Sequence, residues 1–379
     1  MEENAVYIPP ATKYIKLSGD YGTSDFLMYR GGRLPEMQIA YEAWGELSPN
    51  HDNVVLLFTG LSPTAHACSS PEDTSSGWWE FMVGPNKPID TNRFYVICVN
   101  SLGSCFGSTS PRSVNPQTGE VYGIGFPELS IEDIAKSAHH ALNDLGIDHL
   151  FAVVGASMGG MSALAYALQY PEELDYFVCI SAAARALPFT IAVRSLQREI
   201  IRCDPNWNDG DYPMDDEPSC GMVLARKLGL MSYRSASEWR HRFNRARVSA
   251  QRRSLRPFGL EFEIESYLDY NARKFVSQFD ANCYLYLSRA MDLFDVAEHG
   301  GSVNAGLAQI HAKHSLVIGV GTDILFPLEQ QCEIAEGLQK AGRSVDLIEL
   351  DSSYGHDSFL IDADHFAPVI KDFFNGIKP

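Results

Sequence analysis

Val153-Val-Gly-Ala-Ser-Met-Gly-Gly160 decides how the rest of the chain is read. It has G-x-S-x-G spacing, it continues the apolar run Leu150-Phe-Ala-Val-Val154, and a helical pattern over residues 160–169 follows it. A sharp strand-to-helix turn leaves no space for side chains beside the serine, which is why Gly155 and Gly159 flank it. The helix that starts there points free amides at any negative charge developing next to the serine. Ser157 is therefore the candidate nucleophile, and the amide of Met158 a candidate donor to an oxyanion. A glycine-rich turn with a surface serine has the same five-residue pattern; the strand before it and the helix after it separate the two.

Working outward, further short apolar runs stand at 53–58, 94–99, 176–180, 315–320 and 345–350. Strands apolar on both faces belong to a parallel sheet covered by helices. Helical patterns at 131–145, 328–340 and 366–374 alternate with them as parallel crossovers require. The fold class is α/β with a mostly parallel sheet. Between about Arg185 and His299 the alternation lapses into Arg-rich, aromatic-containing helical segments. This divides the chain into a core of residues 1–185 and 300–379 and an inserted helical lid of residues 186–299.

A serine hydroxyl is a poor nucleophile at neutral pH, so a histidine must take its proton and an acid must orient that histidine. On this kind of sheet the order Ser, acid, His is expected, each just past a strand. Asp323, in Gly321-Thr-Asp-Ile-Leu-Phe-Pro327, follows the 315–320 run, and His356, in Tyr354-Gly-His-Asp-Ser-Phe-Leu360, follows the 345–350 run. Asp351 is the rival acid, on the histidine's own loop. His139 and His140 lie on a helix, and His299, His311 and His314 precede a strand, positions that suit surface or packing roles. The second oxyanion donor should come from the loop after an earlier strand, Phe58-Thr-Gly-Leu-Ser-Pro-Thr-Ala-His66, where the amide of Leu61 is the candidate and Gly60 allows close approach.

Composition narrows the partners. The 379 residues are 45% hydrophobic and 21% charged, a globular mixture. With 30 Lys and Arg against 48 Asp and Glu, the formal net charge is −18, so nucleic acid is not an expected partner. The start Met1-Glu-Glu-Asn-Ala-Val-Tyr-Ile-Pro-Pro10 has no basic and apolar leader pattern, and no apolar run is long enough to span a bilayer; a cytoplasmic location without membrane attachment is expected. The eight cysteines show no CxxC pair and read as reduced, mostly structural thiols, Cys105 in Gly103-Ser-Cys-Phe-Gly107 among them. Residues 226–256 carry nine Arg and one Lys against Glu238 alone. That run is either a solvated helical face or oligomer contact, or a surface for an anionic ligand such as a nucleotide phosphate.

Several stretches resemble the homoserine O-acyltransferase family of the α/β-hydrolase fold: Gly77-Trp-Trp-Glu80, Val83-Gly-Pro-Asn-Lys-Pro-Ile-Asp90, Asn100-Ser-Leu-Gly-Ser-Cys-Phe-Gly-Ser-Thr109, Gly155 to Gly160, Glu265-Ser-Tyr-Leu268 and Gly355-His-Asp357. The likeness runs over nearly the whole chain. It implies Ser157, Asp323 and His356 as a catalytic triad, Leu61 and Met158 as the oxyanion hole, Arg226 as the clamp for an amino-acid carboxylate and Asp357 as the partner of its ammonium. The homoserine enzymes usually have His-Ala-Leu-Ser-Gly where this chain has Thr59-Gly-Leu-Ser-Pro63. Gly60, Leu61, Ser62 and Pro63 thus mark acceptor specificity, and the chain looks like the branch that acylates L-serine, feeding cysteine synthesis. The resemblance implies a ping-pong transfer from succinyl-CoA to L-serine, giving O-succinyl-L-serine and CoA. Acetyl-CoA as donor, or L-homoserine as acceptor, is the alternative. A serine hydrolase and a non-catalytic binding protein are remoter ones. Arg185, where the lid begins, is expected to read the acyl-CoA, because a succinyl group needs an added cation and Leu325 occupies the position two after the acid. Neither a metal nor a resident cofactor is called for, with acyl-CoA a co-substrate, and a homodimer is expected.

Overall fold

The computed structural model describes residues 6–17, 25–213, 216–252, 257–276 and 278–378. Eight strands form the central sheet: β1 (Lys13–Lys16), β2 (Gln38–Trp44), β3 (Val54–Phe58), β4 (Tyr95–Val99), β5 (Leu150–Ala156), β6 (Leu174–Ile180), β7 (His314–Val320) and β8 (Val345–Leu350). Their spatial order is β1-β2-β4-β3-β5-β6-β7-β8. β1 pairs antiparallel with β2 and β2 with β4; all other pairings are parallel. The six apolar runs are the six parallel strands. β1 and β2 escape a hydrophobic scan for a physical reason: β1 is an exposed edge, and β2 alternates buried with half-buried positions.

The helices are α1 (Ile131–Asp144), α2 (Met158–Gln169), α3 (Pro188–Arg202), α4 (Ser219–Tyr233), α5 (Ala236–Phe243), α6 (Glu263–Val276), α7 (Ala281–Leu293), α8 (Val303–Leu307), α9 (Leu328–Lys340), α10 (Ser358–Ile361) and α11 (Ala363–Gly376). Alternation along each strand sends its side chains to two cores. Val54, Leu56 and Phe58 join the core that includes α1, α2 and α9, while Val55 and Leu57 join the one that includes α11. Ser130 opens α1 with a capping box to Asp133. From α3 to α8 the chain is helical and leaves the sheet, returning at β7. Among the described residues, no helix is long and apolar enough to cross a membrane.

Part of the basic run's charge is offset in three dimensions. Arg234 and Arg242 meet Glu238, Arg247 meets Glu261, Arg252 meets Glu263 and Lys227 meets Asp269. Glu261, Glu263 and Asp269, just beyond the run, offset part of it, as on a solvated, ion-paired helical surface. Arg253 and Arg256 lie outside the described residues, as do residues 1–5. No cysteine is disulfide-bonded, and Cys68, Cys98, Cys105, Cys179 and Cys283 are buried.

Candidate active site

Ser157 stands between β5 and α2 with φ 57° and ψ −125°, a left-handed backbone uncommon for a residue with a side chain. The turn closes because of its glycines. A Cβ on Gly155 would lie 2.0 Å from the carbonyl oxygen of Gly159, and one on Gly159 would lie 2.4 Å from that of Phe58. The Ser157 amide donates to Ile180 O on β6 at 3.0 Å, which fixes the turn to the sheet.

The loops after β7 and β8 bring the acid and the histidine to the same edge. His356 Nε2 is 2.7 Å from Ser157 Oγ, and Nδ1 is 2.7 Å from Asp323 Oδ2. A carboxylate facing Nδ1 assigns the proton there and leaves the Nε2 lone pair for the serine hydroxyl. Asp323, 3% exposed, is itself held: Oδ1 accepts the amides of Leu325 and Phe326 at 2.8 Å each. Phe326 stacks on the imidazole at 5.0 Å and Phe359 meets it edge-on at 5.7 Å. Asp351, the rival acid, is exposed at the surface.

Gly60, Leu61, Ser62 and Pro63 line the cavity into which Ser157 opens. Met158 is fully buried as the first residue of α2, and among the described residues neither its amide nor that of Leu61 has a protein acceptor. The loop's far end is tied down by a pair that sequence reading missed. His66 Nδ1 is 2.8 Å from Glu42 Oε2 on β2, and both side chains are almost fully buried.

The inserted helices close the cavity with Arg194 and Gln197 from α3, Arg226 and Tyr233 from α4, and Tyr284, Ser288 and Met291 from α7. The Arg226 guanidinium sits 4.1 Å from the centre of the Phe275 ring, and its Nε is buried without a hydrogen-bond partner. Arg194 Nε donates to Asp292 Oδ1 at 2.6 Å, Arg198 pairs with the other oxygen of Asp292 at 2.7 Å, and Arg194 Nη2 is buried with no partner. Two guanidiniums sharing one carboxylate leave a net positive charge at that end. Asp357 lines the cavity beside His356. Burial pushes its carboxyl above the usual range, against the pull of His356, Arg234 and Arg226.

The cavity thus gathers Ser157, His356, Gly60 to Pro63, Arg226 and Asp357, with Asp323 behind the histidine. Arg185 is not brought to it. The chain leaving β6 turns along α9, where the Arg185 guanidinium pairs with Glu333 at 2.8 Å and its backbone bridges Asp295. The cation that does reach the cavity from this part of the chain is Arg194. Its signal was in the sequence: the buried positions of α3 are Thr190, Arg194, Gln197 and Ile201, a core-facing stripe in which Arg and Gln stand where apolar residues are ordinary.

A serine on a strained strand-to-helix turn, reached by a histidine and an acid from the loops after β7 and β8, defines an α/β-hydrolase-type site. The profile described as alpha/beta hydrolase fold matches residues 53–363. This chain is 56% identical over 367 residues to a serine O-succinyltransferase of Litchfieldella anticariensis, covering 97% of this chain and 99% of that protein. It is 53% identical over 371 residues to an L-serine/homoserine O-acetyltransferase of Streptomyces lavendulae, covering 97% and 98%. The crystal structure of homoserine O-acetyltransferase from Bacillus anthracis superposes with a TM-score of 0.87 at 28% identity, covering 96% of this chain and 98% of that one. The chain belongs to the α/β-hydrolase fold family, in its homoserine and serine O-acyltransferase branch.

Proposed function

We propose that this protein is an L-serine O-succinyltransferase, moving a succinyl group from succinyl-CoA to the hydroxyl of L-serine. The observation that carries this reading is the charge content of the cavity. L-Serine presents one carboxylate and one ammonium, and a succinyl group presents a second carboxylate. The cavity offers two Arg sites, the half-buried Arg226 and the buried Arg194 with its Arg198–Asp292 partners, and one carboxylate, Asp357. An acetyl donor would leave the excess positive charge of the two guanidiniums on Asp292, and the buried Arg194 Nη2, without a partner, and desolvated charge is costly unless paired.

In the first half-reaction Ser157 Oγ gives its proton to His356 Nε2 and attacks the thioester carbonyl carbon. The tetrahedral oxyanion is held by the amides of Leu61 and Met158, the carbon–sulfur bond breaks, and the CoA sulfur takes the proton back from His356. In the second, His356 accepts the proton of the substrate hydroxyl, whose oxygen attacks the ester, and Ser157 leaves reprotonated. Arg226 and Asp357 hold the amino acid across this step, and Gly60 to Pro63 border it. Asp323 keeps the imidazole in the required tautomer and steadies its positive form. All these steps use side chains and amides of this chain, with acyl-CoA as co-substrate.

An assay of succinyl-CoA or acetyl-CoA with L-serine or L-homoserine, in all four combinations, tests the reading. Succinyl-CoA with L-serine is expected to give the highest kcat/KM. The one-methylene difference between acceptors is worth about 1–3 kcal/mol, so some homoserine turnover is expected too. CoA release indifferent to any amino acid would make the protein a thioester hydrolase instead.

A further inference from the structure

The residues following α4 are pressed against the loop that carries His356. Gly355, at φ +70°, marks the contact: a Cβ there would lie 2.9 Å from Ser235 N and 3.0 Å from Tyr233 O. Ser235 Oγ donates to Ser353 O across the same seam and caps α5 by accepting from the Glu238 amide. Arg234 lies within the seam, its side chain 8% exposed. Nη2 is 3.2 Å from Glu238 Oε1, and Nη1 is 3.7 Å from Asp357 Oδ2. Among the described residues, Arg234 is the one cation within ion-pair range of Asp357. The other charges facing Asp357 are His356 beside it, Asp323 behind that, and Arg226 from α4.

We propose that Arg234 is a positioning residue for the acceptor half of the reaction, holding the Asp357 carboxylate charged and in place for the ammonium of the incoming amino acid. This rests on the reading of Asp357 given above. A carboxylate buried near Asp323 tends to take up a proton, and the neutral acid would no longer attract an ammonium. Arg234 opposes that at 3.7 Å, a separation that supplies charge without a short hydrogen bond. The carboxylate's lone pairs therefore stay available to the substrate. Glu238 fixes the far side of the guanidinium. The two-ended arrangement needs the arginine fork, since a lysine has a single nitrogen to divide between Glu238 and Asp357. Together with the Ser235–Ser353 bond, the same residue ties the insertion to the histidine loop.

The experiment separates the half-reactions in Arg234→Gln and Arg234→Lys. The pre-steady-state burst of CoA without amino acid reads acylation; the dependence of turnover on L-serine reads transfer. Acylation is expected to stay within about threefold of the parent. The KM for L-serine should rise about tenfold or more, as for loss of a charge-assisted contact. The acidic limb of kcat/KM for L-serine should move to higher pH, with Lys between Gln and Arg. Glu238→Gln should move that limb the other way, because it removes a negative charge and frees Arg234 for Asp357, a sign that general damage to the fold would not produce. Equal losses in both half-reactions, or an unchanged L-serine KM and pH limb, would overturn the proposal. A parent protein whose CoA release ignores L-serine would overturn the functional reading as well.

Discussion

Arg185 and Arg194 are nine positions apart and have opposite fates. Arg185 follows β6 and spends its guanidinium on Glu333, half-exposed, beyond the cavity. Arg194, two turns into α3, is 4% exposed and carries an unpartnered nitrogen. Arg194→Gln is therefore expected to lower kcat/KM for succinyl-CoA by about 30-fold or more, the size of a lost buried charge-assisted contact of ~2 kcal/mol, and to change acetyl-CoA turnover by less than about threefold. Asp292 keeps Arg198 as its partner in that variant, so a large folding defect is not expected. Arg185→Gln should leave the succinyl-to-acetyl ratio within about twofold. The measurement is the pair of kcat/KM values for each variant, and a preserved ratio in Arg194→Gln would remove the donor role given to it.

The oxyanion loop between β3 and His66 illustrates how an element is held from outside itself. Glu42 on β2 accepts from Thr12 Oγ1 at 3.0 Å and pairs with His66 Nδ1, while His66 Nε2 faces Ser75 O at 3.0 Å. Burial alone would push the His66 imidazole down, but Glu42 and the Ser75 carbonyl outweigh it, and the folded value is raised. A histidine whose folded value is raised contributes stability that is fully present below its unfolded value, about 6.5, and lost as pH rises through the folded one. Glu42→Gln should accordingly lower the unfolding free energy by about 3 kcal/mol at pH 5.5, the cost of breaking a buried pair, and by less at pH 9. Urea melts at the two pH values check this. An equal loss at both would mean that the pair is not ionic. The strand β2 was illegible to a scan for apolar runs because Gln38 and the buried Glu42 interrupt it, and with it went the partner that explains His66.

At the scale of the whole molecule, half of the cations in the basic run are paired with acids close by. A formal −18 and a ten-cation run suggest opposed fields, yet Arg234, Arg247, Arg252 and Lys227 each meet an acid nearby in the fold. Long-range attraction of the CoA phosphates by that run should therefore be weak. The kcat/KM for acyl-CoA is expected to change by less than about threefold between 50 and 500 mM salt, a range over which surface fields are largely screened. A tenfold fall would assign the phosphates to an unpaired basic surface instead.

The sequence by itself determined the parallel sheet, the turn at Ser157 and the order of serine, acid and histidine. These follow from apolar runs, most of them buried on both faces, and from glycines at positions where a Cβ would strike backbone. Tertiary structure alone decided that Arg194 and not Arg185 reaches the cavity. It also decided that Arg234 stands behind Asp357. Each of these depends on which way a loop leaves its strand or which face a helix turns inward, and such directions are fixed by packing between segments far apart in the chain, where local pattern has no hold.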